Sequence, residues 1–89
     1  MLIALIARDK PGALQTRLEN RDAHVAYLKA NTIVSQAGPL LDDAGEMCGS
    51  LIVLDVEDMA AAHAFVAGDP YGKAGLFESV ELIAWNKVI

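Results

Sequence analysis

The sequence predicts an α+β fold in the order βαββαβ: one four-stranded antiparallel sheet carrying two helices on one face. Three observations predict it. Short apolar runs rich in Ile, Leu and Val alternate with two segments of helical period. Turn chemistry joins the second and third runs as a hairpin. The 89 residues leave room for one domain, 1–89, because domains rarely divide below about 100 residues.

Residues 2–8 are a short apolar run rich in Ile and Leu that ends on Arg8, the pattern of a strand buried on both faces. Lys10-Pro11-Gly12 stops it. From Ala13 to about Asn31 the period becomes helical, with Leu14, Leu18, Val25 and Leu28 on one stripe and a weak point at Asn20-Arg21-Asp22. Residues 32–41 form a second strand, with a bulge or bend expected at Gly38-Pro39. Asp42-Asp43-Ala44-Gly45 turns the chain into a third strand, 47–56. Asp58 is placed to cap a second helix from Met59 to about Ala67, which Gly68 and Pro70 end. Residues 69–75 form a loop with room for one short turn, and 77–88 read as the fourth strand. This is the ferredoxin-like arrangement.

The apolar share, 54%, exceeds the roughly 45–50% of an average soluble domain. Its placement explains the surplus. A sheet with one wet face alternates apolar and polar residues. Here Leu2, Ala4 and Ile6 oppose Ile3, Leu5 and Ala7, and the third and fourth strands are apolar on both faces too. Two short helices cover one face. The other is expected to lie against a second copy, sheet to sheet, in a homodimer.

Composition excludes several partners. Twelve acidic and seven basic residues give a net charge of −5, and the scattered Lys and Arg make no basic face for nucleic acid or an anionic membrane. No segment is apolar for about 20 residues, the length of a membrane span. The first residues lack the basic start and cleavage site of a signal peptide, so a cytoplasmic protein is expected. Cys48 is the sole cysteine, which excludes an intrachain disulfide and reads as a small apolar filler. The irregular spacing of Gly68, Gly72 and Gly75 matches no nucleotide-binding loop, and neither a metal nor a cofactor is expected.

Two side chains stand out. Helical geometry puts His24 at the edge of the apolar stripe, half sheltered between helix and sheet, whereas His63 faces water. Asp69 lies at the end of the second helix before Pro70, held by local backbone. With both helices on one face, His24 approaches the loop that carries Asp69. The pair then forms a dyad whose carboxylate fixes the imidazole tautomer, suited to moving a proton. Tyr27, Tyr71, Ser50 and Gly38 are secondary candidates for a pocket around it.

These residues also carry a resemblance. The opening Met1-Leu2-Ile3-Ala4-Leu5-Ile6-Ala7-Arg8-Asp9-Lys10-Pro11-Gly12 resembles that of the YciI-like (YCII-related) proteins. So do Arg21-Asp22-Ala23-His24-Val25-Ala26-Tyr27-Leu28, Gly38-Pro39-Leu40-Leu41, Gly49-Ser50-Leu51 and Asp69-Pro70-Tyr71-Gly72-Lys73-Ala74-Gly75-Leu76-Phe77. The likeness runs through the whole chain in order. It implies the dimeric α/β-barrel superfamily, a homodimer, and an active site on one His and one Asp, matching His24 and Asp69. A few relatives eliminate chloride from hydroxylated aromatic rings. The expected function is therefore proton-transfer chemistry, of lyase or dehydrochlorinase type, on a small organic molecule. A non-catalytic metabolite-binding or regulatory dimer is the alternative, and a dyad that only ties one helix to the other is a third reading.

Overall fold

The computed structural model describes residues 1–89, with β1 (Leu2–Asp9) inside the sheet between two antiparallel partners. One partner is β3 (Met47–Asp55) and the other β4 (Phe77–Trp85). The remaining strand, β2 (Val34–Leu41), pairs only with β3, so the sheet order is β2-β3-β1-β4. Two helices, α1 (Leu14–Ala30) and α2 (Met59–Gly68), complete the expected βαββαβ order. A single turn, α3 (Pro70–Lys73), occupies the loop before β4. This is a ferredoxin-like α+β fold.

Register decides which residues share a face. Leu5 lies between Ile52 and Leu82, and Ile3 between Leu54 and Ala84. Ile3, Leu5, Ala7, Ile52 and Leu54 are buried there together with Val56, Ala62 and Phe65. Each large side chain fully buried in this way contributes about 1.5–3 kcal/mol. On the opposite face, Ala4 lies between Val53 and Ile83, and Leu2 pairs with Trp85. Leu51, Ile83 and Trp85 stay exposed on that face, which no helix of the chain covers.

The connections follow local chemistry. Asp42 Oδ1 accepts the N–H groups of Ala44 and Glu46, at 2.9 and 3.0 Å, and Gly45 takes the positive φ of 81° that closes the hairpin. Asp58 caps α2 by accepting the Ala61 N–H at 2.9 Å.

Several sequence expectations need correction. The first helix does not break at Asn20: it is continuous from Leu14 to Ala30, and Asn20 Nδ2 donates to the Thr16 carbonyl at 2.8 Å within it. Its buried residues are Arg17 and His24, while Leu18 is 49% exposed. The helix turns a partly polar stripe toward the sheet because polar partners wait there. The strand does not bulge at Gly38-Pro39, whose pairing with Leu51 and Ser50 is regular. β2 is an edge strand, so the missing Pro39 N–H costs no ladder bond, and its irregularities fall near its two ends. β2 begins at Val34 and β4 ends at Trp85, both shorter than expected. Cys48 is exposed rather than a core filler. No helix is long and apolar enough to cross a membrane.

Candidate functional site

The centre of the site is built by three consecutive residues. Asp69 leaves α2 in extended backbone, and Pro70 starts α3 with a preset φ. Asp69 Oδ1 accepts the Tyr71 N–H at 3.0 Å, which fixes the carboxylate. The same oxygen meets His24 Nδ1 at 2.7 Å. An ionised carboxylate only accepts hydrogen bonds, so Nδ1 carries the imidazole proton of a neutral ring and Nε2 is the free, basic nitrogen. Nε2 has no hydrogen-bond partner in the chain, yet no buried side-chain nitrogen or oxygen lacks one, so Nε2 is not sealed off. At 5% exposure, His24 is buried rather than half sheltered.

Tyr71 supplies the floor of the imidazole. The two rings stack with centroids 3.8 Å apart and planes 16° from parallel. The Arg17 guanidinium carbon lies 4.5 Å from the same tyrosine ring, a cation–π distance. Burial raises the Tyr71 phenol above its ordinary pKa, against the opposing pull of Arg17 and Arg21. Tyr71 is therefore a neutral donor near neutral pH.

A second polar group adjoins the dyad. Arg17 Nε and Nη2 grip Asp9 at 2.7 and 2.9 Å, and Nη2 also donates to Ser50 Oγ at 3.0 Å. Burial acts to lower the Arg17 pKa, but the hydrogen bond and charge of Asp9 outweigh it and the net direction is upward. Arg17 stays a cation.

His24, Tyr71, Arg17 and Ser50 border a cavity of about 320 Å³ between α1 and the β2–β3 side of the sheet. Of the residues singled out in the sequence, His24, Ser50, Gly38 and Tyr71 line it. Asp69 stands behind His24, outside the lining. Tyr27 is not in the cavity wall either: its hydroxyl donates to the Phe65 carbonyl at 2.7 Å and its ring packs on Phe65. Its role is to hold the end of α2. A Cβ at Gly68 would come within 2.5 Å of the Tyr27 hydroxyl, so glycine is needed there for close approach. No three His, Cys, Asp or Glu side chains are placed to hold a metal ion.

Sequence reasoning missed Arg17, Arg21 and Asp9. One signal was present. Arg17, Arg21, His24 and Leu28 recur at the 4-3-4 spacing of a single helix face, and all four line the cavity.

The model of the YCII-related domain family matches residues 1–86. The chain belongs to the YCII-related family. This YCII-related chain is 32% identical to the protein YciI of Escherichia coli O6:H1, over 99% of both chains. It is 33% identical to an uncharacterised Haemophilus influenzae protein at the same coverage. Among solved structures it resembles TftG of Burkholderia phenoliruptrix AC1100, a 5-chloro-2-hydroxyhydroquinone dehydrochlorinase in complex with 2,5-dihydroxybenzoquinone. That match has a TM-score of 0.88 and 36% identity, covering 97% of this chain and 94% of TftG. A conserved Methanosarcina mazei protein shares the fold alone, at a TM-score of 0.66 and 12% identity, over 98% and 93% of the two chains.

Proposed function

We propose that this YCII-related chain is a lyase-type enzyme that eliminates a halide from a small polyhydroxylated ring, with His24 as general acid/base and Asp69 as its orienting partner. The observation that carries the reading is the imidazole held at Nδ1 by Asp69, 2.7 Å away, with the ring in the cavity wall and Nε2 free. The likeness to a dehydrochlorinase supports the reaction class.

The step balances without cofactor or redox partner. His24 Nε2 takes the proton from a ring hydroxyl next to the C–Cl carbon and returns it to that carbon, giving a ketone. A second hydroxyl then gives its proton to the regenerated His24 Nε2, which passes it to water; that oxygen becomes a carbonyl, the ring double bond shifts and chloride leaves. The net loss is HCl. The ring rises to the quinone level because the carbon that lost chlorine gained hydrogen. Asp69 balances the charge of the imidazolium formed in between, and Tyr71 keeps its plane in place.

In this reading the active form is a homodimer. The uncovered face with Leu51, Ile83 and Trp85 exposed meets the same face of a second copy, burying apolar surface that a monomer leaves in water.

Chloride release from 5-chloro-2-hydroxyhydroquinone tests the chemistry. The wild type is expected to turn it over, and His24→Ala to lose about 10²–10⁴-fold in rate with an unchanged circular dichroism spectrum. Full activity in His24→Ala would remove His24 from the mechanism. Ring binding with no chloride release would mark the site as a capture module.

A further inference from the structure

The charge of the cavity points to the state of its ligand. The chain carries −5 overall, yet the charged residues lining the cavity are all cationic: Arg17, Arg21 and Lys29. The nearby carboxylates are already engaged, Asp9 by Arg17 and Asp69 by His24. Lys29 and Arg21 are exposed, whereas Arg17 is 2% exposed. Its close bonds to Asp9 and Ser50 use Nε and Nη2, and the Tyr71 hydroxyl is a looser hydrogen-bonding neighbour of the same guanidinium, so Nη1 makes no close bond within the chain. Ser50 Oγ accepts from Arg17, so its own proton is free to donate outward.

We infer that Arg17 Nη1 and the Ser50 hydroxyl form an oxyanion site that takes one ring oxygen of the ligand in its ionised, phenolate form, with Arg21 and Lys29 drawing the anion in. The inference rests on the proposed reaction and specifies its substrate as an anionic hydroxylated ring. Arg17 and His24 both lie against the Tyr71 ring, 4.5 and 3.8 Å from its centroid, so the cation and the base border the same small cavity. A full negative charge at the oxyanion site makes the ring electron-rich, which assists protonation at carbon and departure of chloride. The apolar wall, including Val34, Pro39, Met47 and Ile52, suits the ring itself.

Calorimetric titration with two ring probes tests this. 2,5-Dihydroxybenzoquinone is a vinylogous acid, ionised at neutral pH, and hydroquinone is neutral there. The wild type is expected to bind the anion at least about tenfold more tightly at low salt, with the margin shrinking when screening shortens to about 3 Å near 1 M salt. Ser50→Ala, which keeps the Arg17–Asp9 pair, should weaken the anion about tenfold and hydroquinone less than about twofold, the loss of one charge-assisted bond. Arg21→Gln, at an exposed position, should reduce the salt dependence. Equal affinity for the two probes, no effect of Ser50→Ala on the anion, or no binding of either probe at millimolar concentration would each overturn the assignment. His24→Gln separates the two proposals. It should lose chloride release while holding the anion within a few-fold, so failure of the oxyanion site leaves the His24 chemistry standing, and the reverse.

Discussion

The His24 imidazole is held on two sides by one three-residue segment: Asp69 bonds its Nδ1 at 2.7 Å, and Tyr71 stacks under its ring at 3.8 Å. Pro70 and the Asp69 cap lock that segment to the end of α2. Position, plane and tautomer of the imidazole all follow from one short turn.

Removing the carboxylate should therefore cost more than one bond. Asp69→Ala loses the buried bond to His24, about 1.5–3 kcal/mol, and the cap on Tyr71, about 1 kcal/mol. Thermal melts should fall by roughly 10–30 °C in a domain of this size. Asp69→Asn, which can still cap, should keep more of the stability than of the activity. If both variants melted with the wild type, the dyad would have no structural share.

Tyr27 and Gly68 form a second testable pair. Gly68→Ala pushes a methyl against the Tyr27 hydroxyl and should destabilise by about 1–3 kcal/mol. Tyr27→Phe removes the blocking oxygen along with its bond to Phe65. The double variant should be less destabilised than the two single effects added, as measured by urea unfolding. Strict additivity would mean the clash relaxes elsewhere.

Arg17 and Asp9 are each other's only neutralisation in the core. Arg17→Met strands the Asp9 carboxylate and should cost about 3–5 kcal/mol, whereas Arg17→Met with Asp9→Asn should recover a large part of it. Guanidinium unfolding of the two variants gives the comparison. Equal stability of the two would place Asp9 in contact with water.

Alkaline titration has a defined sign. Burial raises the phenols of both Tyr71 and Tyr27 above 10.0, with Asp69 adding to the rise at Tyr27. A raised folded value means that the native state holds its proton more tightly than the unfolded chain. The stabilisation is complete below pH 10 and is lost as pH climbs through the higher folded values. Urea midpoints should hold level from about pH 8.5 to 10 and drop above it, less steeply in Tyr71→Phe. A Tyr71→Phe profile that drops as steeply as the wild type would contradict the sign at that residue.

The exposed sheet face makes a prediction about mass. Light scattering should give twice 9.5 kDa for the wild type, and Leu51→Glu, which places charge on that face, should give the monomer. A 9.5 kDa wild type at micromolar concentration would end the dimer proposal.

Local patterns carried much of this protein in its sequence. Residues 42–45 declared their turn, Asp58 declared its cap, and the two-sided apolar strands declared a sheet with an extra face to cover. His24 and Asp69 were legible because each is set by its own neighbours: a helix position in one case and a helix end before proline in the other. Tertiary structure decided the rest. Arg17 was only one of the scattered basic residues, since nothing local neutralises it. Its partners lie on Asp9 at the end of β1 and Ser50 on β3, 8 and 33 residues away. Only sheet pairing brings them under α1, and a charge can be buried only where such partners converge. Tyr27 and Tyr71 looked alike as pocket candidates, and packing separated them into a strut for α2 and the floor of the imidazole. Periodicity determines which way a segment faces; what meets it there is set by chain that arrives from elsewhere.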